Sequence, residues 1–233
     1  MNRAILTATL LLSAAPLGAL AEVQNPAVSG FTGVRLAVPG KMEVIQGGTE
    51  SLSIEGSSED LAKIEAVVES GVLHIRQKER MSNWNWNPKF RLTVNAKTID
   101  QLAISGSGDI HSNAIKSGAI KLAISGSGDI RIPALEADSA TVSISGSGDV
   151  TLGGRAGSVD SHISGSGDLK AEKLEARNVK VAISGAGDVK VWAREGLQVR
   201  IAGSGDVRYY GDPSVEKRIA GSGSVKRLGA NPT

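Results

Sequence analysis

From Leu102 to the C-terminus, apolar and polar residues alternate along short segments, and the alternating blocks themselves recur. The string Ile-Ser-Gly-Ser-Gly-Asp-Ile begins at Ile104, and close copies follow it. Their aspartates are Asp109, Asp129, Asp149, Asp168, Asp188 and Asp206, with Ser224 in the last copy, at intervals of 20, 20, 19, 20, 18 and 18 residues. Five positions before each stand Ile104, Ile124, Ile144, Ile163, Ile183, Ile201 and Ile219. One position after stand Ile110, Ile130, Val150, Leu169, Val189, Val207 and Val225. Seven positions before stand Leu102, Leu122, Val142, Ser161, Val181, Val199 and Lys217. Alternation at period two, with β-branched residues at the apolar places, predicts half-buried strands rather than helices.

One unit is a strand, a glycine corner, a second strand and a variable return. Alone it buries too little surface to survive. Parallel stacking solves this, because each strand then pairs with its copy about 4.8 Å away and the isoleucines form an internal ladder. Each buried isoleucine contributes roughly 1.5–3 kcal/mol before entropy is charged. The expected fold is all-β, a right-handed parallel β-helix or solenoid of about seven coils. The corners are Gly106, Gly108 and Asp109; Gly126, Gly128 and Asp129; Gly146, Gly148 and Asp149; Gly165, Gly167 and Asp168; Gly185, Gly187 and Asp188; and Gly203, Gly205 and Asp206. A sharp turn needs backbone angles that glycine reaches cheaply, and stacked corners leave little room for side chains. In Gly185-Ala186-Gly187 the middle hydroxyl is missing. That makes chemistry on the corner serines unattractive.

Residues 22–100 are less regular. Val34–Val38, Met42–Ile45, Val72–Ile75 and Phe90–Val94 read as strands. Ser57 or Ser58 caps a short helix expected to run to about Ala66, with Glu59 and Asp60 in its first turn. This region is expected to cover the first coil and shield its edge, since bare solenoid ends pair with other chains. Residues 101–228 form the solenoid and 229–233 a polar tail, with Ser224 marking a closing cap.

The first 21 residues have the layout of a secretory signal: Arg3, an apolar run from Ala4 to Leu12, then Ala19-Leu20-Ala21 before Glu22. No later run approaches the roughly 20 apolar residues of a membrane-spanning helix. Aromatics are only 3% of the chain while glycine stands at 29 residues, which suits thin aliphatic layers better than a thick globule. Without Arg3, 25 basic residues face 24 acidic ones, a balance that calls for neither nucleic acid nor an anionic membrane. With no cysteine, stability rests on packing alone.

The aspartate column invites a calcium reading, but only one acid per coil reaches the row, and calcium takes six to eight oxygens. The structural reading has each aspartate accepting hydrogen bonds from corner amides. Like charges stacked at this spacing repel by about 1 kcal/mol per neighbour in water. The column two residues on (His111, Arg131, Thr151, Lys170, Lys190, Arg208 and Lys226) is mostly basic and offsets it. The three histidines, His74, His111 and His162, hold unrelated places in the repeat, and His162 points outward. No cysteine nucleophile, metal-binding histidine pair or phosphate loop is present, so neither a catalytic residue nor a metal or cofactor site is expected. Trp84 and Trp86 lie among turn-forming residues and either stack on sugars or lie over the stack as a lid. Tyr209 and Tyr210 allow the same two readings.

Together with Phe31-Thr32-Gly33-Val34, Val44-Ile45-Gln46-Gly47 and Glu69-Ser70-Gly71-Val72-Leu73-His74-Ile75, the Gly-Ser-Gly corners resemble the bacterial putative autotransporter adhesin, head GIN domain family, over residues 28–228. The resemblance implies a right-handed β-helix and a cell-surface or adhesion role. It departs in one respect: no C-terminal barrel or trimeric anchor is seen. The expected function is an exported, non-catalytic interaction scaffold of the cell envelope, periplasmic or at the surface, with an envelope or extracellular protein or glycan as partner. Carbohydrate binding or processing through the Trp84/Trp86 loop is the alternative. Homo-oligomerisation is left open.

Overall fold

The chain winds as a ladder of parallel strands. A computed structural model describes residues 21–78 and 88–232. In order along the chain come β1 (Glu22–Gln24), β2 (Gly33–Leu36), β3 (Gly40–Gln46), β4 (Ser51–Gly56), α1 (Ser58–Leu61), β5 (Ile64–Glu69), β6 (Val72–Gln77), β7 (Phe90–Ala96), β8 (Gln101–Gly106) and β9 (Asp109–His111). The long strands follow: β10 (Ala114–Gly126), β11 (Ile130–Gly146), β12 (Val150–Gly165), β13 (Leu169–Gly185) and β14 (Val189–Gly203). β15 (Asp206–Tyr210), β16 (Ser214–Gly221) and β17 (Ser224–Gly229) end the stack.

The registers place like on like. Ile104 pairs with Ile124, Ile124 with Ile144, and so on through Ile163, Ile183 and Ile201 to Ile219. A second column runs from Ile110 through Ile130, Val150, Leu169, Val189 and Val207 to Val225. Six isoleucines of the first column are at most 2% exposed. Ile219 departs from the expectation of a dry axis: it is 39% exposed, because no further layer of the described chain lies over it. The seven corners therefore bound about six turns.

Two different constraints select the corner glycines. The first of each pair has positive φ, from 113° at Gly106 to 141° at Gly203, where an L side chain is strained. The second has no such angle; it is glycine for want of space. A Cβ on Gly148 would overlap the carbonyl oxygen of Gly128 and lie 2.9 Å from Cγ2 of Ile124. From Ile104 to Ile201, each isoleucine methyl thus packs under the glycine of the following coil. The return side absorbs the variation in period through register shifts, such as that between Ile132 and Leu135.

The N-terminal strands add two parallel layers out of chain order. β2 lies between β6 and β8, and β3 between β7 and β9. Antiparallel pairing takes over beyond them: β4 on β7, β1 on β4 and β5 on β6. The helix is shorter than the sequence led us to expect. Ser57 caps it, accepting from the Asp60 N–H at 3.2 Å, but α1 stops at Leu61, because Ile64–Glu69 joins β6 as a strand. The Gln46 side chain ties the layers together, donating to the Lys116 carbonyl at 2.9 Å and accepting from its N–H at 2.7 Å. No described helix is long and apolar enough to cross a membrane.

Candidate functional site

Stacking turns each outward position of the repeat into a row, so any binding surface must be built of rows. The strand carrying the isoleucines presents two. Ala103, Ala123, Ser143, His162, Ala182, Arg200 and Arg218 precede the isoleucine; Ser105, Ser125, Ser145, Ser164, Ser184, Ala202 and Ala220 follow it. With Arg35 of β2, paired to Ala103, they line an open groove of about 730 Å³. Eight layers at strand spacing make it roughly 34 Å long. Its floor is methyl and hydroxyl groups, its ends carry Arg35, Arg200 and Arg218, and no acidic residue lines it. His162 stands in the middle, exposed, with Nδ1 3.4 Å from an oxygen of Asp160.

The corner aspartates form a second row. Each Oδ1 accepts the backbone N–H of the aspartate in the next coil, at 3.2 Å for Asp109, 2.9 Å for Asp129, 3.1 Å for Asp149, 2.9 Å for Asp168 and 3.0 Å for Asp188. The donors are corner amides, but each lies one layer on rather than within the same turn. Ser224 ends the row by giving Asp206 both its N–H at 3.0 Å and its hydroxyl at 2.8 Å. That hydroxyl, ahead of Arg208, holds the Asp206 carboxyl below the usual carboxylate range. Lys170 bonds Asp149 and reaches Asp168 at 4.0 Å, and the Asp149 contact raises the Lys170 pKa. Arg208 likewise bridges Asp188 at 3.3 Å and Asp206 at 3.1 Å. The basic column offsets the aspartates at these two places. Among the described residues, no three His, Asp or Glu side chains are grouped to hold a metal ion.

A third row alternates in sign, Lys116, Glu136, Arg155 and Glu175, and beyond a register shift that sets Trp192 beside Glu175 the Arg194 side chain reaches back to it. Glu136 sits 3.1 Å from Lys116 and 3.7 Å from Arg155, and Glu175 3.3 Å from Arg194. Lys116 holds the Glu136 carboxyl below its ordinary range. Such a row favours one register of the stack. Near the N-terminal end, Arg76 joins Glu69 and Glu65, which lowers the Glu69 pKa and raises that of the guanidinium.

Trp84 and Trp86 lie outside the described residues. Tyr209 packs against the core and Tyr210 is half-buried, in register with Val191 and Trp192. Neither tyrosine lines the groove. The groove's signal in the sequence is the run of serines immediately after the first five isoleucines, from Ser105 to Ser184.

The sequence matches the model of a family described as "Putative auto-transporter adhesin, head GIN domain" over residues 30–213. Among solved structures, the fold is similar to a putative adhesin from Bacteroides fragilis. That match has 25% identity and a TM-score of 0.84, covering 89% of this chain and 97% of that one. It is also similar to a putative lipid binding protein from Parabacteroides distasonis (24% identity, TM-score 0.73, 89% and 96% covered). A putative adhesin from Parabacteroides merdae shares the fold as well (20% identity, TM-score 0.70, 89% and 96% covered). No curated protein matches the chain.

Proposed function

Because the chain belongs to the putative auto-transporter adhesin, head GIN domain family, we propose that it is an exported, non-catalytic adhesion scaffold of the bacterial cell envelope. The groove of small residues is its binding surface. One observation carries this reading: a continuous concave strip, free of acids and with arginines at its ends, runs along the isoleucine strands of every coil. Rows of repeated methyls and hydroxyls offer a partner area and shape rather than a reacting centre. An extended envelope or extracellular glycan or protein segment fits such a strip better than a compact small molecule does.

Filling the strip tests the reading. Ser145→Arg and Ser164→Arg change exposed side chains, so both variants should melt like the parent. Binding to immobilised envelope and extracellular glycans and proteins should fall at least tenfold. Arg155→Ala, on the alternating-charge row, should bind like the parent. Equal binding by all three proteins removes the groove from the account. Release of sugar products from envelope polysaccharide overturns the non-catalytic assignment.

A further inference from the structure

We propose that the open end of the stack, formed by β16 and β17, takes up an extended acidic segment of a partner protein as its next layer. β16 pairs only with β14, and β17 only with β15, so the far edge of each carries backbone N–H and C=O groups without a strand partner among the described residues. The opposite end is different: there β1, β4 and β5 pair antiparallel and replace the parallel edge. An edge of this kind is a template for an added strand.

The side chains at the open end carry more than a bare edge would. Val215 and Ile219 continue core columns and are 38% and 39% exposed, and Leu228 is 40% exposed. They make up three of the five large apolar residues exposed in the described chain. Between Val215 and Ile219, in the column filled by Val199 one layer down, stands Lys217. No ion pair of Lys217 is found among the described residues, whereas Arg218 is paired with Glu216 and Arg227 with Asp212. From Ser214 to Gly229 the layer holds Lys217, Arg218, Lys226 and Arg227 against Glu216 alone, a net charge of +3, although the whole chain is only +2.

That charge decides the occupant. A second copy docked end to end would bring +3 against +3 and crowd two core-facing ammonium groups together. A head-to-tail copy would meet the antiparallel end. A foreign strand with a carboxylate over Lys217 and apolar residues two places to either side, over Val215 and Ile219, would extend both core columns. It would also pair the ammonium as it is desolvated.

The probe is a fluorescein-labelled peptide with blocked termini copying Ser214–Gly221 with Lys217→Glu, a net charge of −1, titrated with the protein lacking residues 1–21 and followed by anisotropy. It should bind at least tenfold tighter than the unaltered copy and than a scrambled peptide of the same composition. Introducing Lys217→Glu into the protein should reverse the preference between the two copies, while the circular dichroism spectrum stays that of the parent. The proposal is overturned if neither copy binds, if the scrambled peptide binds as well, or if the protein's Lys217→Glu change leaves the preference intact. Sedimentation of the parent as a dimer at micromolar concentration overturns it too, in favour of self-association. Groove variants Ser145→Arg and Ser164→Arg should bind the peptide normally, which separates this surface from the one proposed above.

Discussion

Ser161 occupies a column that neighbouring coils fill with valine or leucine. It pairs with Val142 on one side and Val181 on the other, is 0% exposed, and its hydroxyl has no hydrogen-bond partner. A buried hydroxyl left unpaired costs about 1–3 kcal/mol. Ser161→Val puts a methyl in place of that hydroxyl and adds a second methyl, the added one worth about 0.8 kcal/mol if it packs without strain. Overpacking would subtract from the gain. The expected outcome is a stabilisation of about 1–3 kcal/mol. For a domain of this size that is a rise in melting midpoint of roughly 2–12 °C. Urea titration should show the midpoint moving up with the slope unchanged, as a pure stability effect requires. Val181→Ser, the reverse change one layer away, should lose stability by a similar amount. If Ser161→Val lowers stability by 1 kcal/mol or more while Val181→Ser is harmless, the column is not packed as described and the reasoning fails.

At the corner, Gly148→Ala should destabilise by about 3 kcal/mol or more, because its methyl has no space beneath the Gly128 carbonyl, whereas Ser147→Ala should be nearly silent in the same melt. The Asp206 carboxyl is depressed in the folded chain, so its contribution is in place above the ordinary value near 3.9 and is lost as pH falls through the folded value. Asp206→Asn should flatten that acid limb in melts between pH 5 and pH 2. The Lys170 ammonium is raised, so its contribution is complete below about 10.4 and disappears as pH climbs through the folded value; Lys170→Met should flatten the alkaline limb. Each corner aspartate from Asp109 to Asp206 already accepts a backbone N–H, so adding calcium or chelator should leave the midpoint where it was.

The stack was legible because a solenoid writes each column many times over. One alternating segment leaves open which face is inside, but isoleucine recurring from Ile104 to Ile219 does not. What stayed hidden depends on neighbours distant in sequence. Nothing local in Val34-Arg35-Leu36 says that β2 will slide between β6 and β8. The helix is shorter than its start suggests because Ser57 and its acids signal a beginning, while the stop comes from β5 finding β6. The exposure of Ile219 reflects what lies above it, which its own coil does not encode. The groove escaped for a related reason: alanine and serine outside a strand look featureless singly and become a surface only when aligned.

The replacement of aspartate by serine at position 224 has a consequence for how such a protein lengthens. Every internal corner supplies an acceptor that the following layer uses, and Ser224 instead donates to Asp206. A unit duplicated from the middle of the array brings its own carboxylate and can be inserted anywhere below the last one. A duplicate of the final unit would place serine in the interior of the row and leave the amide above it without that acceptor. Growth by tandem copying is therefore permitted inside the array and penalised at its tip.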